Sequence, residues 1–201
     1  MQTRWIKTDP NSTSVGLAEI TSENDDILKH DHSDLDHLHP KKRLEFLASR
    51  QLVQQVCNEL DIPYQGIEKD EFGKPHLVDS NYQISISHSY PMVACAIHPS
   101  SPCGIDIESM RPQLVKIKHK FLNPKELAYC QNDLKKLCLH WSAKEALYKV
   151  HGRKSLIFAE QLAIQQITPE EIQAQVITDE GVENFLLNYE YFLEYFLVYN
   201  V

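Results

Sequence analysis

Between residues 41 and 60 the apolar side chains fall at 44, 47, 52, 53 and 56. That spacing approximates the helical period and predicts one long amphipathic helix, ending before Pro63. From Tyr82 the period changes to two. Tyr82, Ile84 and Ile86 alternate with polar neighbours, residues 92–97 form a second apolar run, and 105–108 a third, short one. A chain carrying both periods has to pack helix against sheet. The pattern then returns: 124–149 reads as mostly helical, and 159–167 and 185–201 read as strands rich in aromatic and β-branched residues. Each half offers a helix with basic residues and then apolar strands. We therefore expect an α+β fold of two similar α/β halves, residues 1–100 and 101–201, each a small antiparallel sheet packed with a long helix. Residues 1–22 read as short extended segments around a turn at Asp9-Pro10-Asn11, and Phe72-Gly73-Lys74-Pro75 is a second turn signal.

Hydrophobic residues make up 42% of the 201, enough for a real core. The net charge of −8 lacks the basic footprint of a nucleic-acid binder. No apolar run approaches the ~20 residues of a spanning helix. The stretch Met1-Gln2-Thr3-Arg4-Trp5 lacks the apolar run of a signal peptide, so a cytoplasmic location is expected. The five cysteines, at 57, 95, 103, 130 and 138, are odd in number, widely spaced and without a C-x-x-C pair, which reads as reduced, mostly buried thiols.

Two segments carry candidate chemistry. In Gly104-Ile105-Asp106-Ile107-Glu108, strand alternation places both carboxylates on one face and both isoleucines toward the core. Paired carboxylates repel unless a cation offsets them, and Mg²⁺ accepts one or two carboxylates plus water and phosphate oxygens. Gly104 leaves room for a close approach. By spacing alone D-x-E is a weak signal, and a solvated strand face is the more ordinary reading. In the second segment, Trp141-Ser142-Ala143-Lys144-Glu145-Ala146-Leu147-Tyr148-Lys149, residues 141, 145 and 149 share a helix face. An ordinary i,i+4 Glu145–Lys149 pair and a functional acid with a phosphate-contacting lysine both satisfy that spacing. Trp141 reads as core rather than a stacking platform.

Together these segments resemble the 4′-phosphopantetheinyl transferase signature, G-[IV]-D-x-E followed some tens of residues later by [WF]-[SCT]-x-K-E-[AS]-x-x-K. Phe72-Gly73-Lys74-Pro75 is similar to the family's G-K-P turn, and Ile86-Ser87-His88-Ser89 to its S-H-S segment. All four stand in the family's order, over roughly residues 40 to 150. The family often carries Asn three residues before the histidine; Ser85 stands there, which puts one local hydrogen bond in question. The chain's length resembles the surfactin-synthetase-activating type, which implies two halves about a pseudo-twofold axis, coenzyme A in the cleft between them, and a monomer.

The resemblance implies attack by a carrier-protein serine on the β-phosphate of coenzyme A, with release of 3′,5′-ADP. It implies Asp106, Glu108 and Glu145 as ligands of Mg²⁺ (Mn²⁺ as the alternative), Glu145 or a water it orients as base, and Lys149 on the pyrophosphate. Arg43 and Arg50, seven apart and so on one face of the basic helix with Lys41 nearby, would serve the 3′-phosphate and adenine with Lys74, Ser87 and His88. A solvated helix face is the competing reading for the arginines. The partner would be an acyl or peptidyl carrier protein, docked on a local basic or apolar patch for which Arg111, Lys116, Lys118, Lys120 and Phe121 are candidates. The alternative function is a non-catalytic coenzyme A-binding module of the same fold. No G-x-x-x-x-G-K-[ST] loop is present, which disfavours an ATP-dependent phosphotransferase. Finally, the His- and Asp-rich stretch 30–39 has metal-binding residue types without a defined ligand spacing, and reads as a polar lead-in to the basic helix.

Overall fold

The computed structural model describes residues 1–9, 11–21, 35, 37–152 and 155–200. The candidate cluster at 30–39 falls mostly outside the described residues, since 30–34 and 36 are not among them.

The first half opens with strands β1 (Gln2–Lys7) and β2 (Ser14–Glu19), joined by a turn in which Ser12 N donates to Asp9 O at 3.2 Å. Helix α1 (Pro40–Glu59) follows. Proline occupies its first turn, where a missing N–H costs nothing, and the Nδ1 of His39 accepts from Lys41 N at 3.3 Å. Past its end, Asp61 adopts a positive φ of 55° ahead of Pro63. Then come β3 (Ile67–Lys69), β4 (Pro75–Leu77), β5 (Gln83–Ser89) and β6 (Met92–His98). They form a six-stranded sheet in the order β1-β2-β6-β5-β4-β3.

The second half repeats the scheme. Strand β7 (Ile105–Ser109) leads through α2 (Gln113–Ile117) and a 3₁₀ turn at Lys118–Lys120 to α3 (Pro124–Cys130) and α4 (Leu134–Val150). The stretch read as mostly helical is made of two helices. It breaks at Gln131, whose φ of 50° no helix tolerates, and restarts at Asp133, which accepts from the N–H groups of Lys135 and Lys136. After a short turn of helix, α5 (Phe158–Gln161), strands β8 (Leu162–Ile167), β9 (Glu171–Thr178), β10 (Gly181–Phe192) and β11 (Tyr195–Asn200) meander back in the order β7-β11-β10-β9-β8. Strand β9 goes unpredicted in the sequence reading, although Ile172, Ala174 and Val176 alternate and all are buried.

The two sheets share a topology. In each, an opening strand is followed by a long helix and a meander whose last strand returns antiparallel beside the opener: β6 on β2, β11 on β7. The internal echo in the sequence is therefore a repeat of connectivity. Three apolar clusters fill the layers. Helix α1 buries Leu52, Val53 and Val56 against Ile84, Val93 and Cys95 of the first sheet. Val15, Leu17, Met92 and Ala94 on that sheet's other face meet Ile105, Ile107 and Leu197 of the second. Phe196, Val198 and Leu187 on the far face of the second sheet meet Leu147 and Ala143 of α4.

Candidate active site

Strand β7 is the edge of the second sheet and lies beside β5 of the first. Alternation turns Ile84 and Ile86 of β5 toward α1 and presents Ser85, Ser87 and Ser89 to β7. An unpaired edge leaves backbone donors to satisfy. Here serine hydroxyls do so: Ser85 Oγ accepts from Ile105 N at 3.1 Å, and Ser89 Oγ from Ser109 N at 3.3 Å. Ser85, in place of the family's frequent Asn, thus has a buried role of its own.

The same alternation in β7 sends Ile105 and Ile107 into the layer between the sheets and turns both carboxylates toward α4. The competing reading, a solvated strand face, is set aside: Asp106 is 6% exposed and Glu108 8%. Asp106 Oδ1 accepts from Ser87 Oγ at 2.8 Å and from the Lys149 ammonium at 2.9 Å, and its Oδ2 from Ser142 Oγ at 2.9 Å. Lys149 also donates to Ile105 O at 2.8 Å. Glu108 accepts from Ser89 Oγ at 3.1 Å and pairs with Arg111. Burial first, and then the neighbouring Asp106 charge, push the Glu108 carboxyl up, against the pull of Arg111 and Ser89. A pair of this kind gains from a bound cation. Glu145 lies three residues after Ser142 and four before Lys149, on the α4 face that both of those use to reach Asp106. Among the described residues no three His, Cys, Asp or Glu side chains are gathered closely enough to enclose a metal ion. Two neighbouring carboxylates suit an ion that completes its shell with water and phosphate oxygens.

The glycine ahead of this pair makes room for a close approach, and what approaches is helix α4. A Cβ on Gly104 would lie 2.2 Å from Ala146 O and 2.8 Å from Val150 N. The space is taken by the backbone of α4, so the glycine sets how closely the carboxylate strand approaches the helix that carries Ser142, Glu145 and Lys149.

The next residue on β5, His88, faces the other way. With Arg50, Lys42, Phe46 and Ser49 of α1, Lys69 and Ile67 of β3, and Gly73 and Pro75 of the turn, it lines a pocket of about 290 Å³. The structure therefore brings Arg50, the Gly-Lys-Pro turn and His88 together, and places Ser87 on Asp106 instead of in the pocket. Gly73 has φ 77°, a left-handed conformation that suits glycine, and Asp70 Oδ1 clasps the turn by accepting from Phe72 N and Lys74 N. Lys74, expected in the pocket, does not line it: its side chain is buried, and its charge is felt by the thiol of Cys103. Arg43 is half-buried on α1 and does not line this pocket; the Arg50 guanidinium lies 3.2 Å from the centre of the Phe46 ring.

Four residues escape the sequence reading: Ser142, Ser89, Arg111 as a partner of Glu108, and Glu45. Ser142 and Ser89 sit in the quoted motifs, where a small hydroxyl was visible without its partner. Glu45 is a charge within the buried stripe of α1, 2% exposed, with Lys42 Nζ at 2.8 Å and His88 Nδ1 at 3.4 Å. Phe121, a docking candidate, is instead core: it is 1% exposed and edge-on to Trp141 at 5.1 Å. Trp141 packs between Phe121 and Phe158, as its core assignment requires. Lys144, unassigned by the motif, is fully buried and binds Glu126 at 2.6 Å with the carbonyls of Phe121 and Phe158.

Comparison with known proteins bears on the same residues. The family model for the 4′-phosphopantetheinyl transferase superfamily matches residues 102–194. The chain is 36% identical over 111 residues to 4′-phosphopantetheinyl transferase Sfp of Bacillus subtilis strain 168, covering 51% of this chain and 49% of that protein. It is 35% identical over 89 residues to another Bacillus subtilis 4′-phosphopantetheinyl transferase, covering 41% of this chain and 39% of the other. It is 28% identical over 131 residues to 4′-phosphopantetheinyl transferase HetI of Nostoc sp., covering 56% and 54%. The matches thus span about half the length of these relatives or less. The D-x-E strand and the W-S-x-K-E helix both lie inside residues 102–194, so the segment that is similar to the 4′-phosphopantetheinyl transferase superfamily is the one that carries the carboxylate pair and the α4 residues facing it.

Proposed function

We propose that the chain transfers the 4′-phosphopantetheine group of coenzyme A to a serine of an acyl or peptidyl carrier protein, releasing 3′,5′-ADP. The observation that carries this reading is the division of labour along β5. Ser87 and Ser89 hold the carboxylates Asp106 and Glu108, while His88 between them faces a pocket shared with Arg50 and the Gly-Lys-Pro turn. Successive residues of β5 thus serve a pocket lined by residues 38–88 of the first half and a carboxylate pair on β7 of the second.

In this reading the neighbouring carboxylates Asp106 and Glu108 would hold Mg²⁺, or Mn²⁺ in its place, with Glu145 on the facing helix reaching the ion through water or on substrate binding, and the ion would neutralise pyrophosphate charge. The pocket holds the 3′-phosphate and adenine end through Arg50 and His88, with Lys74 adding positive charge from the turn between Gly73 and Pro75 and Arg43 on the same helix as Arg50. Glu145, directly or through one water, takes the proton of the carrier serine as its oxygen attacks the β-phosphorus. The bridging P–O bond breaks, and the electron pair leaves on the α-phosphate of 3′,5′-ADP. Lys149, already beside Asp106, stabilises charge on that leaving group. Both halves lie in one chain, so a monomer suffices. No described helix is long and apolar enough to cross a membrane, and the five cysteines are free and buried, in keeping with a cytoplasmic enzyme.

The test is incubation with coenzyme A, Mg²⁺ and a panel of apo-carriers, read by the mass of the carrier. A phosphopantetheine increment is expected with the parent chain and is expected to vanish in Glu145→Gln, with an unchanged circular dichroism spectrum. Coenzyme A binding without any increment would identify a binding module instead. Lys74→Ala and His88→Ala should each weaken coenzyme A binding; unchanged affinity would remove those residues from the coenzyme A site.

A further inference from the structure

The one buried charge on α1 that the transfer chemistry leaves unused is Glu45. Its side chain is 3% exposed, and one oxygen, Oε2, faces both Lys42 Nζ at 2.8 Å and His88 Nδ1 at 3.4 Å. Lys42 is 60% exposed and has solvent as an alternative. His88 is 38% exposed and lines the pocket. A carboxylate beside Nδ1 selects the ring form with hydrogen on that nitrogen, and leaves Nε2 as the edge turned away from Glu45.

We propose that Glu45 is a positioning residue for the pocket: its carboxylate holds the Nδ1 edge of His88, so that Nε2 is presented to a phosphate monoester and donates to it once the ring is protonated. This rests on the reading of the pocket as the coenzyme A 3′-phosphate site. The groups facing His88 pull in opposite directions. Burial of the ring is the largest influence and favours the neutral form; Glu45 opposes it; the ammonium groups of Lys42 on α1 and Lys149 on α4 add to it. Arg50 and Lys69 line the same pocket. Glu45 is thus the acidic group that keeps protonation of His88 within reach when an anion arrives. Binding of a 3′-phosphate should then be accompanied by proton uptake and should weaken as pH rises.

The experiment is calorimetric titration of the full chain with coenzyme A and with 3′-dephospho-coenzyme A, between about pH 6 and 8, the range in which histidine titrates. The parent is expected to prefer coenzyme A, increasingly so at lower pH. Glu45→Gln keeps the shape and removes the charge. It should lose about ten-fold in coenzyme A affinity, the scale of one charge-assisted contact, with dephospho-coenzyme A unaffected. The double variant Glu45→Gln/His88→Ala should bind coenzyme A like His88→Ala alone. A Glu45→Gln chain that keeps both the preference and its pH course overturns the inference while leaving the pocket assignment intact. A parent that binds neither ligand overturns the pocket reading and this inference together. Long-range ¹H–¹⁵N spectra of the parent give a check that needs no variant: a neutral His88 with hydrogen on Nε2 and a bare Nδ1 also overturns it.

Discussion

Gly104→Ala tests the claim that backbone proximity between β7 and α4 builds the carboxylate site. The new Cβ would stand 2.2 Å from Ala146 O, 2.7 Å from Val150 Cγ2 and 2.8 Å from Val150 N. Two of these three atoms are helix backbone and cannot rotate away. Reaching an ordinary contact near 3.4 Å requires strand and helix to separate by roughly 1.2 Å. Ser142 and Lys149 ride on that helix and reach Asp106 at 2.9 Å each, so the same shift carries both past hydrogen-bond range. Overpacking costs about 1–3 kcal/mol, and each weakened bond to the buried carboxylate adds about 1.5–3 kcal/mol before relaxation. We expect a net loss of about 3–5 kcal/mol, a large share of the ~5–15 kcal/mol that holds a domain together. Carrier loading should fall with it. The control is Gly16→Ala in the first half, whose Cβ would meet Val56 Cγ2 at 2.6 Å, Leu52 Cδ1 at 3.2 Å and Cys95 Sγ at 3.3 Å. These are side-chain tips on α1 and β6 that can shift, so about 1 kcal/mol is expected there. Urea unfolding of both variants decides. A Gly104→Ala chain within about 0.5 kcal/mol of the parent, or a Gly16→Ala chain that loses more, refutes the argument from backbone contact.

Lys144→Met leaves Glu126 buried without its ammonium and should cost about 3–5 kcal/mol in urea unfolding, part of which Glu126→Gln in the same chain should restore. Ser87→Ala and Ser142→Ala each remove one donor from buried Asp106, with an expected loss of about 1–3 kcal/mol apiece and a larger proportional loss of carrier loading than of stability. Burial first of all holds the His140 imidazole below its ordinary pKa of 6.5, against the pull of Lys136 O and Glu126. The unfolded chain therefore binds that proton more readily, so stability falls as pH drops below about 6.5. Thermal melts should show this acid loss in the parent and a smaller one in His140→Gln.

Local physics was legible in the sequence. The helical spacing of 44–56, the alternation at 82–87 and 105–108, and the turn at Gly73 each depend on residues a few positions apart, and each appears where those patterns put it. Alternation also settled which way Ile105 and Ile107 face. The break at Gln131 was not legible, because a helical period continues across it and only the backbone angle of one residue interrupts the helix. Strand β9 leaves a weaker trace, because glutamines alternate with its short run of buried residues and its partners lie on both sides.

The site followed a different rule. Asp106, Glu108, Lys149 and His88 were nameable from ordered motifs, but their partners were not. Ser87 meets Asp106 from 19 positions away, Lys149 from 43, and Ser142 from 36. Such pairs leave no periodic trace, since nothing in either segment's own spacing depends on the other. The sequence by itself determined two α/β halves and a short roster of acids and bases. Tertiary structure alone decided that the S-H-S segment divides between two jobs, that Gly104 serves the helix behind it, and that Glu45 stands behind His88. Each of these arises where one half's strand is pressed against an element far along the chain, and only packing brings those surfaces together.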